Sequence, residues 1–235
     1  MCIRDSNLDT FIENCKSAVA GDDTHLGIKD LVGKAVSEPG SLMKAIGEPS
    51  KAGASPIYSS NNLTIVNVVW APWMTIYPHN HNIWAVIGIY SGREDNIFWR
   101  RINDEKHGRI EAAGARSLSL GDVTPLGPDI IHSVNNPIPR NSGAIHVYGG
   151  DFFHVENRSE WDPEDLTEHE YDAQNVKNVL ENFEPSNEII SVKNEDRISK
   201  PKTVTEFYNP MPEDENNHHV VLSWLLGESH NPVDY

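Results

Sequence analysis

The sequence predicts a mainly β protein, an antiparallel sandwich or barrel with helices before it and an acidic, partly helical tail after it. Three observations carry this. Short stretches rich in β-branched and aromatic residues recur from about residue 56, separated by Gly, Pro, Asn and Asp at sandwich-like intervals. No long helical pattern interrupts them, so the strands pair antiparallel rather than as βαβ units. Helical periodicity is confined to the two ends. The 235 residues suit one domain with appendages or two small ones, and 38% apolar residues suffice for a core.

From about 7 to 48 the pattern is helical. Leu8, Phe11, Ile12, Cys15 and Val19 recur at three- and four-residue steps until Gly21-Asp22-Asp23. Leu26, Leu31, Val32 and Ala35 continue in that style, Pro39-Gly40 breaks it, and Leu42 to Ile46 forms a last short turn. The strand-like stretches are 63–70, 73–77, 84–90, 96–102 and 144–148. Asp162-Pro163-Glu164 reads as a helix start and 173–183 as helical, whereas 184–218 is polar and Pro-punctuated. Val220 to Leu226 is an apolar patch suited to docking on the barrel or on a second subunit. The implied organisation is a helical segment at 7–50 packed on the barrel, the barrel at 56–160, and a helical, acidic extension at 161–235.

Charge is unevenly distributed. The net formal charge is −16, yet residues 1–150 carry 13 basic and 15 acidic residues while 151–235 carry 6 and 20. Such a surface repels phosphate backbones and no basic stripe compensates, so no nucleic-acid partner is expected. No apolar run approaches the roughly 18 residues of a membrane span, and no membrane partner is expected. The N-terminus shows no basic-then-apolar secretory pattern. Two cysteines, Cys2 and Cys15, make no disulfide framework, which fits a reducing cytoplasm. Cys15 lies on the apolar side of its helix as a small buried hydrophobe.

The chemistry concentrates in histidines. Pro78-His79-Asn80-His81 follows a strand-like stretch, and strand positions i and i+2 share a face, so His79 and His81 can aim at one metal ion while Asn80 faces away. Alone, the pair also reads as two solvent histidines in a polar loop. A second segment shifts the balance, because Gly121 opens a turn and Pro128, His132 and Asn136 follow. His79, His81 and Gly92 fall on the first motif of the cupin superfamily, G-x5-H-x-H-x3,4-E-x6-G. Gly121, Pro128, His132 and Asn136 approximate its second motif, with the Pro-to-His step one residue short. Trp73 stands in place of the leading Gly, and Ala85 in place of the glutamate. The chain thus resembles cupins, and the resemblance implies a double-stranded β-helix, the jelly-roll barrel.

Without the glutamate the metal face is three neutral histidines rather than two histidines and a carboxylate. In that respect, and in His79-Asn80-His81-Asn82-Ile83-Trp84-Ala85-Val86-Ile87-Gly88 and Gly143-Ala144-Ile145-His146-Val147-Tyr148-Gly149, the chain resembles the thiol dioxygenases, the group of cysteine dioxygenase and bacterial 3-mercaptopropionate dioxygenase. The resemblance covers about 56–170. It implies that His79, His81 and His132 bind Fe(II), and that a small thiol is oxidised by O2 to its sulfinic acid. His146 and Tyr148 would be the last two members of a Ser-His-Tyr relay, although His146 also reads as a core histidine. The serine position is Ala144, so either Ser142 or a water substitutes, or the relay is tuned differently. Arg158 would clamp a substrate carboxylate; its other reading is a surface charge beside Glu160. Trp84 is expected as core or pocket wall at the substrate. His154 is at the pocket rim or in solvent, His107 is solvated, and His218-His219 belong to the tail. Other readings are a metal-binding cupin acting on a non-thiol molecule and a cupin that binds without turnover. The expected partners are the thiol and O2, and the expected state is a monomer or homodimer.

Overall fold

A computed structural model describes residues 6–21 and 25–183. The polar tail, the Val220 to Leu226 patch and His218-His219 lie outside the described residues. Three helices open the chain: α1 (Ser6–Gly21), α2 (Leu26–Ser37) and α3 (Pro39–Ile46), the last with its proline in the first turn, where no backbone donor is lost. Eleven strands follow: β1 (Gly53–Ser59), β2 (Thr64–Trp70), β3 (Thr75–Asn80), β4 (Ala85–Ser91), β5 (Arg93–Arg101), β6 (Ile110–Ser119), β7 (Val123–Leu126), β8 (Ile131–Asn135), β9 (Ser142–Tyr148), β10 (Ser159–Trp161) and β11 (Glu168–Glu170). A fourth helix, α4 (Ala173–Asn182), starts at an Asp172 cap whose carboxylate accepts from the Asn175 amide.

Two antiparallel sheets form, in the orders β1-β2-β9-β4-β7 and β11-β10-β3-β8-β5-β6. The pairs β5·β6, β4·β7, β3·β8 and β2·β9 are nested, as in one long hairpin rolled up so that successive pairs enter alternate sheets. That topology is the double-stranded β-helix. The first sheet is apolar on both faces. Its inner face contributes Val66, Val68, Ala85, Ile87 and Ala144 to the barrel core. Its outer face, with Ile65, Val86, Ile145 and Val147, is covered by Ile12, Cys15, Ile28, Val32 and Val36 of the helices. Cys15 is buried there, and desolvation pushes its thiol up to about 12.

Asp162-Pro163-Glu164 does not start a helix. It is the turn between β10 and β11, where the Asp162 carboxylate accepts from the amides of Glu164 and Asp165 and Asp162 N–H donates to Thr167 O. An Asx turn and a helix cap satisfy amides in the same way, and the hairpin pairing decides between them. The motif glycines Gly92 and Gly121 have φ of 75° and 86°, in the region glycine enters freely, and Trp73, at the first motif's leading glycine, has φ 64°. No described helix is long and apolar enough to cross a membrane.

Candidate metal centre

His79 and His132 are register partners on β3 and β8, and His81 follows β3 by one residue. A bulge makes this possible. Ile76 already faces the core, so strict alternation would turn His79 outward, but the β3·β8 register shifts between Ile76 and His79. The shift spans Tyr77 and Pro78, and it re-aims His79 and His81 into the barrel. Asn80 points the other way, as the alternation requires, and anchors β10: its side-chain oxygen accepts from Ser159 N–H at 2.8 Å and its carbonyl from Arg158 Nε at 3.0 Å.

The three imidazoles converge. His81 Nε2 stands 3.2 Å from His79 Nε2 and 3.3 Å from His132 Nε2. Nitrogens held about 2.0–2.1 Å from one ion at angles of about 90–110° stand roughly 2.9–3.4 Å apart, so the spacing fits a shared cation. The other ring nitrogens agree. His79 Nδ1 lies 2.9 Å from Tyr77 O, and His132 Nδ1 lies 2.7 Å from Asn96 Oδ1, so each donates from Nδ1 and keeps a lone pair on Nε2. Burial lowers all three pKa values. His79 falls to about 4, with the Arg158 charge adding to desolvation, and His81 and His132 lie well below the ordinary imidazole value, with neighbouring rings adding to it. The cluster is therefore neutral near pH 7, the form that ligates metal. Among the described residues these three form the one histidine, cysteine or carboxylate group close enough to share an ion. Ala85, at the glutamate position of the motif, is buried in the apolar core opposite Tyr148.

Beside the cluster is a cavity of about 70 Å³, lined by the three histidines together with His146, Tyr148 and Phe152, and closed by Tyr171 and by Val176 and Leu180 of α4. That volume suits a molecule of a few heavy atoms, far smaller than a typical drug-sized site. Tyr148 Oη lies 3.0 Å from His146 Nδ1, and its ring stands edge-on to His81 and stacks on Phe152 at 3.9 Å. Thr64 holds Phe152 in place, donating to Gly150 O and accepting from Phe152 N–H. Desolvation raises the Tyr148 pKa, so the phenol keeps its proton.

Arg158 is no surface charge. It is 7% exposed, and its guanidinium lies 3.7 Å above the Tyr171 ring and 4.7 Å from the Phe152 ring. Its Nη2 is buried without a hydrogen-bond partner, and among the described residues it makes no ion pair. A buried guanidinium with an unused donor is able to pair with an anion.

Several sequence expectations change. Trp84 does not reach the cavity. Ala85 and Ile87 take the inward phase of β4, so Trp84 joins the outer cluster and lies against Gly149, where an added Cβ would fall 2.0 Å from the ring. Ser142 does not replace the relay serine, because its hydroxyl accepts from Arg93 N–H and donates to Asn136 Oδ1. Asn136, the motif asparagine, is a structural pin that donates to the carbonyls of Trp70, Ala71 and Arg140. His154 and His107 are exposed. Three contributors were not foreseen: Glu94 and Asn96 on β5, and Tyr171. Glu94 and Asn96 are i and i+2 in a strand, a polar pair on one face that the strand pattern contains once β5 is extended back to Arg93.

No protein-family model matches the chain. Among solved structures it is similar to a conserved protein with a double-stranded β-helix domain from Klebsiella pneumoniae subsp. pneumoniae MGH 78578, at 17% identity over 44% of this chain and 81% of that one, TM-score 0.32. It is also similar to an RmlC-like cupin family protein from Methanocaldococcus jannaschii, at 10% identity over 44% and 84%, TM-score 0.35. Oxalate decarboxylase from Bacillus subtilis is matched at 17% identity over 47% of this chain, which spans 28% of that one, TM-score 0.37. Scores of this size carry no argument about chemistry, which rests on the residues themselves.

Proposed function

We propose that this chain is an Fe(II)-dependent thiol dioxygenase that converts a small thiol acid to its sulfinic acid, both atoms of O2 ending on sulfur. The observation that carries the proposal is a neutral three-histidine face on a cavity of about 70 Å³, with a buried guanidinium, Arg158, packed against two aromatic rings that line it, Phe152 and Tyr171. His79, His81 and His132 would hold the iron, which when bound acidifies the thiol and supplies electrons to O2. With three uncharged ligands the site keeps its positive charge, which favours an anionic sulfur. Arg158 binds the carboxylate and so fixes the distance from carboxylate to sulfur. Phe152, Tyr171 and α4 exclude water. Tyr148, hydrogen-bonded to His146, holds a proton beside the substrate pocket.

The test is metal analysis of the purified protein with oxygen uptake against cysteine, 3-mercaptopropionate and cysteamine. Iron should be present, and one of the two thiol acids should consume O2 in equal amount to sulfinate formed. Cysteamine has no carboxylate for Arg158 and should be poor, and Arg158→Met should cut kcat/KM for the acid on the order of 10²–10³-fold, the loss expected when a buried charge loses its partner. Absence of iron, or no O2 consumption with any thiol, overturns the reading in favour of a metal-binding barrel acting on, or merely binding, another small anion.

A further inference from the structure

The relay serine is absent, yet His146 is not left facing an apolar wall. Its Nε2 is buried without a hydrogen-bond partner and faces Glu94 Oε2 at 3.5 Å. Glu94 is 0% exposed. Its Oε2 also accepts from Trp70 Nε1 at 2.8 Å, and its Oε1 accepts from Asn96 Nδ2 at 2.9 Å. Asn96, equally buried, turns its Oδ1 to His132 Nδ1 at 2.7 Å. From Trp70 through Glu94 and Asn96 to His132, each donor and acceptor is thus assigned by its neighbour. Burial alone would raise the Glu94 pKa, but the facing His146 ring and the hydrogen bonds from Asn96 and Trp70 outweigh it and hold it below the ordinary value. A carboxylate is acceptor-only, so it takes the Asn96 amide group as donor. The Asn96 carbonyl is then left for His132, whose proton must sit on Nδ1 and whose lone pair must sit on Nε2, toward His81. On the other side the same carboxylate faces His146 Nε2 at 3.5 Å and favours a proton there, which leaves Nδ1 to accept from Tyr148.

We propose that Glu94 is a positioning residue that sets the tautomer of both rings, readying His132 Nε2 for metal and His146 Nδ1 for the Tyr148 proton. This rests on the three-histidine metal site and not on the identity of the substrate.

The test reads tautomers directly. In metal-free protein with 15N-labelled histidine, His132 should be protonated on Nδ1 and His146 on Nε2. The opposite tautomer at His132 overturns the proposal whatever the variants do. Glu94→Gln is nearly isosteric, but its amide cannot satisfy all three neighbours. Trp70 donates to the Oε2 side, with His146 Nε2 facing it, and holds the oxygen there, so the new NH2 meets Asn96 Nδ2. Asn96 must turn over and present its own NH2 to His132, moving that proton to Nε2. Co(II) and Zn(II) affinity should then fall about 10- to 100-fold. The double variant Glu94→Gln/Asn96→Asp restores the pattern. The introduced amide NH2 donates to one oxygen of the introduced carboxylate, and the other oxygen accepts from His132. This variant should recover the Nδ1 tautomer and most of the affinity. A folded E94Q protein with unchanged tautomer and full affinity, or a folded double variant without recovery, sinks the proposal. Neither readout uses thiol or O2, so a failed oxygen-uptake experiment leaves this inference standing, and the converse holds as well.

Discussion

The two sheets of the barrel do different jobs, and their sequences show it. The sheet β1-β2-β9-β4-β7 is sandwiched between the core and the helices, and β2, β4 and β9 are buried almost throughout. The sheet β11-β10-β3-β8-β5-β6 carries no helices among the described residues; its outer face has one small cluster of Ile110, Ile131 and Trp161, and β6 is exposed along most of its length. The open sheet carries His79 and His132, with His81 just beyond β3, while the covered sheet carries His146 and Tyr148. Helix-backed packing and the three-histidine cluster thus lie on opposite walls. Glu94 and Asn96 on β5 join the two, touching His146 on one wall and His132 on the other. A two-faced sheet makes a firm reference surface for a proton-holding tyrosine, whereas a one-faced sheet can accept polar side chains and a bulge.

This division predicts a gradient of effects. The largest is at the open wall's interior: His132→Ala should abolish metal loading, since two imidazoles hold a divalent ion poorly. Full metal occupancy by elemental analysis would break the assignment of ligation to that wall. Next, equal truncations should cost very different amounts. Ile145→Ala, on the helix-covered face of β9, should cost about 2–5 kcal/mol in denaturant unfolding. Ile97→Ala, 40% exposed on β5, should stay within about 0.5 kcal/mol. Comparable losses would mean that the open sheet hides a partner of its own. The smallest effect concerns the bridge between the walls. Glu94 has a folded pKa below its ordinary value of 4.5, so its stabilisation is present above that value and is lost as pH falls through the folded one. The stability advantage of wild type over Glu94→Gln in metal-free protein should therefore hold at neutral pH and vanish on acidification below about 4.5. An advantage that persists into strong acid would show that packing, not the carboxylate charge, makes the bridge.

The same contrast explains what the sequence makes legible. Strands buried on both faces read as β-branched runs, and 63–70, 84–90 and 144–148 stand out for that reason. The open sheet does not announce itself. β6, with Gly114 and a run of Ala, Arg and Ser, has little strand propensity and owes its place to pairing with β5. The candidate ligands are legible because His-x-His has strand periodicity and His132 sits at a motif spacing, although the bulge that aims them is hidden in Tyr77-Pro78. Arg158 was legible as a candidate only by resemblance. Its burial depends on Tyr171 and Phe152, which approach from other segments. Glu94 was invisible as a site residue because a lone Glu in a strand is ordinarily solvated, and what makes it special, enclosure by Trp70, Asn96 and His146, is a property of the closed barrel.

The nested pairing also dictates an order of assembly. The β5·β6 hairpin joins neighbours in the chain, whereas Thr64 must find Tyr148, and every intervening pair closes a larger loop than the one inside it. Loop-closure entropy makes the inner hairpin the cheapest nucleus and the β2·β9 contact the latest. His79 and His132 meet at an intermediate stage, on β3·β8, before the covered sheet is complete. A divalent ion present during refolding is therefore expected to clamp a half-built barrel, speeding the slow closing steps rather than merely filling a finished pocket.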